Sequence, residues 1–486
     1  MKMTTQSPQE TAEKTFFGHP RMLFNLFSVE MWERFSFYGM QGILAYYMYF
    51  EVSKGGLGLD QGLSLSLVGA YGGTVYLSTI FGAWIADRLL GSEKVLFYTG
   101  IMIMLGHIAL AALPGVVGLT IGLLLVALGS GGLKATASSL VGSLYTEKDP
   151  RRDAGFSIFY MGVNIGALVG PLLTGLLQTR LGFHYGFGLA AIGMALGLTI
   201  YAFGRKNLPE ETHHVTDPLP PKQRVRYGIG ALIGLAVVVV LLTTGLVHAD
   251  NLATMIAVIV IIASIIYFVV ILSSKNVNAI ERRRVTAFIP LYIASAAFWA
   301  LFQQQFTFIA VYSEQRLDRN LFGWEMPASW SQSINPVFII IFAAVFAAIW
   351  TKMGDKQPST ALKFSGALII MGIAFLVFIP LNSLEKTPLL ALAGILFLFT
   401  MAELLLSPIG LSVATKLAPV VFTTQMVALF YLSVSLGTTL AGILAGFYTE
   451  GNEVPYFATL GGTAIVLGLA LMLAVKPIKN LMSGVK

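Results

Sequence analysis

Glu30, Glu33 and Arg34 lie in an apolar stretch, V-E-M-W-E-R-F-S-F-Y-G-M-Q-G-I-L from Val29 to Leu44, that is long enough with its flanks to cross a membrane. A charge at the bilayer centre costs about 2.5–3.5 kcal/mol on insertion scales, so three in five residues demand a role. On a helix Glu30 and Arg34 are i,i+4 neighbours that can pair, and Glu33 shares their broad face. Two more charges fall well inside apolar runs. Lys134 sits in G-S-G-G-L-K-A-T-A-S-S-L, whose small residues allow close helix packing. Glu403 sits in F-T-M-A-E-L-L-L-S-P-I-G-L-S, where Pro408 and Gly410 can loosen the helix just beyond it. A fixed ion pair that orients helices would account for Glu30–Arg34 alone. Five charges on three spans from both halves of the chain point to a water-accessible site.

Three acids and two bases leave that site with one net negative charge, which a single proton neutralises. A site exposed in turn to two sides of a membrane is easier to move when neutral, and that is the physical logic of proton coupling. Glu30, Glu33 and Glu403 are the groups that can titrate. Arg34 and Lys134 suit a substrate anion, and Glu403 suits a substrate cation. A ligand carrying a carboxylate and an ammonium some distance apart fits all three.

The surrounding chain must be an integral membrane protein. It has 486 residues, 56% hydrophobic and 11% charged, against about 25% charged in soluble domains. Its apolar segments suit helices of about 20 residues rather than barrel strands. Fourteen spans are predicted, near 22–50, 64–87, 93–113, 117–145, 153–181, 184–204, 227–247, 251–273, 286–314, 328–352, 359–382, 387–416, 420–449 and 454–476. Of the 31 Lys and Arg residues, 24 fall in connections on one side and five (Lys54, Arg180, Arg316, Arg319, Lys386) on the other. The positive-inside rule then places both termini in the cytoplasm, and the loss of one span would scramble the asymmetry. The polar start, with no hydrophobic region before about Met22, carries no evident cleavable signal.

The predicted organisation is a cytoplasmic tail (1–21), a six-helix bundle (22–204), a polar Pro-rich linker (205–226), an inserted helix pair (227–273), a second linker (274–285), a second six-helix bundle (286–476) and a cytoplasmic tail (477–486). The turns G-A-W-I-A-D-R-L-L-G (82–91) and M-G-D-K-Q-P (353–358) place acid then base at matching points of the two bundles. With the 6 + linker + 6 layout they suggest two repeats around a central cavity. The chain has no cysteine, so disulfides and thiolate metal sites are excluded. The net charge of +7 is read as basic cytoplasmic loops, not nucleic-acid binding. No metal or other cofactor is expected: His213 and His214 are read as solvated loop residues, and His107, alone in its span, as a packed histidine. The absence of G-x-S-x-G and of a phosphate-binding loop argues against a membrane enzyme.

The segment E-M-W-E-R-F-S-F-Y-G, Glu30 to Gly39, resembles the E-x-x-E-R-F-x-x-Y-G signature of the proton-dependent oligopeptide transporter family of the major facilitator superfamily. F-Y-M-G-V-N-I-G-A (159–167), F-W-A-L (298–301), S-I-N-P (333–336) and E-L-L-L-S-P-I-G-L-S-V-A-T-K-L-A-P (403–419) carry the likeness over nearly the whole chain. The resemblance implies an all-α major facilitator fold with an extra helix pair between the halves. It implies an inner-membrane symporter that imports di- and tripeptides with protons and is functional as a monomer. Arg34 and Lys134 match the residues that engage the peptide carboxylate, Glu403 the acid that meets its amino group, and Glu30 and Glu33 the proton-linked acids. Tyr38, Tyr76, Asn164, Trp299 and Asn335 match positions lining the pocket.

Two positions depart from the family. Gln303 stands where relatives usually have a glutamate, and Gln41 where they often have an arginine; in relatives the two can close a gate as an ion pair. Here the expected contact is a neutral hydrogen bond between two amides. The alternative reading is a transporter of the same fold for nitrate or a drug-like amine. The intact set Glu30, Glu33, Arg34, Lys134 and Glu403 argues against nitrate, which offers no cation to Glu403.

Overall fold

In a computed structural model, residues 15–146 and 149–485 are described; the basic residues Lys2, Lys14, Lys148 and Lys486 lie outside them. Among the described residues sixteen helices carry the fold. Six form the N-terminal half: α1 (Met22–Tyr49), α2 (Gln61–Ile85), α3 (Ser92–Ala112), α4 (Gly115–Ser143), α5 (Arg152–Leu181) and α6 (Phe183–Gly204). Two follow it: α7 (Pro221–Thr243) and α8 (Leu252–Ser273). The C-terminal half holds α9 (Ala279–Phe302), α10 (Phe308–Gln315), α11 (Ile334–Met353), α12 (Thr360–Leu381), α13 (Leu389–Lys416), α14 (Thr423–Ala445), α15 (Glu453–Leu473) and a short α16 (Val475–Leu481). Among the described residues thirteen helical segments are long and apolar enough to cross a membrane. The 28-residue α1 has the length too but carries Glu30, Glu33 and Arg34, and with it the spans number fourteen.

The halves are built alike. In the first, α3 packs on α4 and α6; in the second, α12 packs on α13 and α15. They meet along two matching seams, α2 against α14 and α5 against α11, as a two-fold exchange of second with eighth and fifth with eleventh core helices requires. Of the inserted pair, α8 rests on α14 and α2, whereas the described side chains of α7 are largely exposed apolar residues suited to lipid.

The predicted seventh core span is broken. Its helix begins at Ala279 behind an Asn278–Glu281 capping box and ends at Phe302. A 3-10 turn, Gln303–Phe306, separates it from α10. The predicted 205–226 linker is also more ordered than its composition suggests. Helix α7 starts at Pro221, since proline is well suited to a first helical turn and the charged residues after it do not stop the helix. The rest is strapped to the N-terminal half. The Arg205 guanidinium donates to buried Glu93 at 2.5 and 3.0 Å, and the backbone N–H groups of Asp217 and Leu219 donate to the carbonyls of Asp87 and Arg88.

Hydrogen bonds between the halves cluster toward the end of the bundle where α1 finishes. Tyr46 donates to the Ala310 carbonyl (2.9 Å), Gln315 to Gln61 (3.0 Å), Trp330 to the Leu172 carbonyl (2.9 Å) and Ser333 to the Leu168 carbonyl (2.8 Å). The α2–α14 seam is tight because glycines face each other: a Cβ on Gly69 would lie 2.6 Å from the Gly442 Cα. Gly69→Val should therefore pry this end open. The cysteine-free chain gives a clean readout, a disulfide engineered between Gln61→Cys and Gln315→Cys. The valine should slow its formation severalfold; unchanged cross-linking would show that the seam does not control closure.

Candidate functional site

Helix α1 places Glu30, Glu33 and Arg34 on one buried face. The Arg34 guanidinium contacts Glu30 Oε1 through Nε at 2.8 Å and through a terminal nitrogen at 2.6 Å. Its Nε also lies 3.4 Å from Glu33 Oε2. From α4, Ser130 donates to Glu33 Oε1 at 3.2 Å and Lys134 Nζ lies 3.5 Å from the same oxygen. The Lys134 ammonium also sits 4.4 Å above the Phe37 ring. Glu33 is fully buried and Glu30 nearly so. The four charges thus neutralise one another within the N-terminal half, which is what makes their burial tolerable.

A cavity of about 190 Å³ lies between the halves. Arg34, Tyr38, Tyr76 and Asn164 line it from the N-terminal side, and Trp299, Asn335 and Glu403 from the other. The 3-10 segment Ala328–Ser333 leads into α11 and presents Asn335, whose amide donates to Thr400 Oγ1 at 2.9 Å and Glu403 Oε2 at 3.3 Å. Among the described residues no basic side chain pairs with Glu403, so the acid faces the cavity without a counter-ion. The cavity therefore holds a cation on one wall and an anion on the other, each from a different half. Several polar atoms around it are buried without a hydrogen-bond partner: the Trp299 indole nitrogen and both amide atoms of Gln332. They are available to a bound molecule.

Seven of the eight residues expected to bind substrate line this cavity; Lys134 does not. Its ammonium is drawn to Glu33 because a buried carboxylate less than 4 Å away is a stronger partner than the cavity. The predicted Gln41–Gln303 hydrogen bond is also not made. Gln41 is buried with its side-chain oxygen unpartnered. Gln303 opens the 3-10 turn after α9, which turns its amide into the cavity beside the Tyr76 hydroxyl. Tyr160 and Gln332 were not anticipated among the lining residues. A signal existed for each: Tyr160 is one helical turn before Asn164 and Gln332 three residues before Asn335. Among the described residues no cluster of three metal-ligating side chains occurs.

Comparison with known proteins places this architecture. A family model described as PTR2, the POT family, matches residues 93–463. The chain is 43% identical to the uncharacterized transporter YclF of Bacillus subtilis (strain 168), across 97% of each protein. It is 41% identical to a di-/tripeptide transporter of Lactococcus lactis subsp. cremoris, across 98% of this chain and 99% of that one. A crystal structure of a peptide transporter POT mutant in complex with alafosfalin superposes with a TM-score of 0.93 at 45% identity, covering 97% of this chain and 98% of that one.

Proposed function

The chain belongs to the POT family of membrane transporters, and on that premise we propose that it is a proton-coupled symporter importing di- and tripeptides by alternating access. The observation that carries this reading is the pairing of Arg34 and Glu403 across one cavity, two opposite charges supplied by opposite halves. A peptide zwitterion has the matching charges at its two ends. Its carboxylate goes to Arg34 and its ammonium to Glu403, with Asn335 steadying the acid. Lys134 acts on the carboxylate end through Glu33: when Glu33 is protonated, the ammonium loses its partner and becomes free to reach toward the substrate.

The closed end, where Tyr46, Trp330 and Ser333 tie the halves together, is the extracellular one in this reading. Both termini are then cytoplasmic, the membrane is the cell membrane, and the cavity awaits release to the inside. A protonated Glu30 or Glu33 weakens its hold on Arg34, and a bound carboxylate takes that place. Proton and peptide thus stabilise the same state, and this is symport in thermodynamic terms. One monomer contains every group the cycle needs.

Proteoliposomes test the reading. Uptake of labelled dialanine should be concentrative with an inward proton gradient and an inside-negative potential, and only equilibrative once both are collapsed. Gradient-independent accumulation would rule out the coupling, and hydrolysis of the dipeptide by pure protein would rule out transport as the activity. Substrate orientation has its own test. Glu403→Ala should weaken competition by free dipeptides roughly tenfold to hundredfold, the range of a charge-assisted contact. N-acetylated peptides, which lack the ammonium, should bind the wild type poorly and be affected little by the substitution. An equal loss for both would mean that Glu403 does not face the amino end.

A further inference from the structure

The three consecutive glutamines of the 3-10 turn have three different surroundings. Gln303 and Gln305 line the cavity. Gln304 does not: its side chain is fully buried and reaches α15. Its Oε1 accepts from the Tyr456 hydroxyl at 3.0 Å and from the Thr307 hydroxyl at 3.0 Å. Its amide nitrogen has no partner among the described residues, so the grip is through the oxygen alone. Gln305 folds back on the turn, its amide nitrogen donating to the Phe302 carbonyl at 3.2 Å. One glutamine therefore faces the cavity, one braces the turn while lining the cavity, and one holds the neighbouring helix.

No proline or glycine lies between Pro290 and Gly323, so the break between α9 and α10 is not made by backbone chemistry. The side chains of the turn and their partners define it. Thr307 leaves the helical region (φ −118°, ψ −101°), with its N–H bonded to the Gln304 carbonyl at 3.2 Å. Next to it, Phe308 sets α10 into an aromatic cluster. Its ring lies 5.3 Å from Phe378, 5.6 Å from Phe375, 5.5 Å from Tyr456 and 5.6 Å from Phe457. Tyr456 thus meets the break twice, through its hydroxyl at Gln304 and its ring at Phe308. From the N-terminal half comes Tyr38, whose ring is stacked 5.9 Å from Phe306, both of them cavity residues. The turn is fixed from behind by α15 and offers Gln303, Gln305 and Phe306 to the cavity.

We propose that Gln304 is a positioning residue for substrate binding: held by Tyr456 and Thr307, it fixes the rotation of the turn and so sets where Gln303, Gln305 and Phe306 meet a bound peptide. Gln304 itself touches no substrate. Arg34 and Glu403 take the charged ends of the peptide, and the neutral amides of the turn suit the uncharged peptide bond between them, which has one donor and one acceptor. Rotation matters because a 3-10 turn has 3.0 residues per turn and an α-helix 3.6, so relaxing four residues to α geometry swings the far end by about 80°. That swing carries Phe306 off the cavity wall.

This inference rests on the reading of the cavity as a dipeptide site, and the test separates the two. Gln304→Met keeps the length of the side chain but offers only a weak acceptor. In proteoliposomes its KM for dialanine counterflow should rise roughly tenfold while the maximal rate stays within about twofold of wild type, the mark of lost ground-state binding. Tyr456→Phe removes one of the two donors and should raise KM about threefold. The double variant should be no worse than Gln304→Met, because both changes break the same contact. The cysteine-free chain adds a readout that needs no substrate. A small thiol reagent should label Phe306→Cys from the cavity, and adding Gln304→Met should slow that labelling severalfold. Wild-type KM together with unchanged labelling would overturn the proposal. A lowered maximal rate at wild-type KM would also overturn it, since that marks gating, and so would additive effects in the double variant. If the wild type shows no saturable dialanine counterflow, the peptide reading has failed, and the labelling of Phe306→Cys alone decides whether Gln304 holds the turn.

Discussion

Arg34→Ala should lower saturable dipeptide uptake by at least about a hundredfold. The guanidinium holds Glu30 at 2.6 Å, lies 3.4 Å from Glu33 and forms one wall of the cavity. Its removal takes away the cation proposed to meet the substrate carboxylate and leaves Glu30 buried without a partner. Breaking a buried pair from one side costs about 3–5 kcal/mol. The two losses are separable by competition. Peptides amidated at the C-terminus should compete poorly in the wild type, and the margin between free and amidated peptides should collapse in Arg34→Ala. If the variant still prefers free carboxylates, Arg34 is not their partner. Arg34→Lys should restore part of the binding but not the two-nitrogen grip on Glu30, because an ammonium lacks the planar fork.

Glu30→Gln should uncouple transport. The amide keeps the shape of the carboxylate and can still accept from Arg34, but it cannot exchange a proton. Proton-driven uptake is expected to fall on the order of a hundredfold, and counterflow, which moves no net proton, should persist. Arg34 then has Glu33 as its remaining acid, already 3.4 Å away, so it stays charged and held in place. Equal loss of driven uptake and counterflow would place Glu30 in binding or folding instead. The corresponding change at Glu33 is predicted to be more damaging to both modes. Glu33 joins Arg34, Ser130 and Lys134, and neutralising it leaves Lys134 without its carboxylate while Arg34 keeps only Glu30.

Much of this protein is written locally. A charge in an apolar run is a one-dimensional signal: the cost of burying it is paid wherever the helix ends up, so Glu30, Glu33, Arg34, Lys134 and Glu403 mark a site without any knowledge of packing. Apolar runs of membrane length likewise mark the spans, since a bilayer demands helices whose backbone groups pair internally. A break inside a span is less legible. The three glutamines at 303–305 carried no proline or glycine to announce the 3-10 turn that ends α9.

Tertiary structure decided which polar groups share a compartment. Position along a helix follows from the sequence, but rotation about the helix axis depends on which faces neighbouring helices cover. Lys134 and Arg34 both read as cations for one substrate, yet packing turns Arg34 to the cavity wall and gives Lys134 to Glu33. Gln41 and Gln303 read as a facing pair, yet the end of α9 turns one into the cavity and leaves the other buried without it. Lone His107 read as packing, and it lies fully buried in the N-terminal half with both ring nitrogens unpartnered among the described residues. Residue type settled which groups had to be sheltered from lipid, and the helix rotations settled which of them meet.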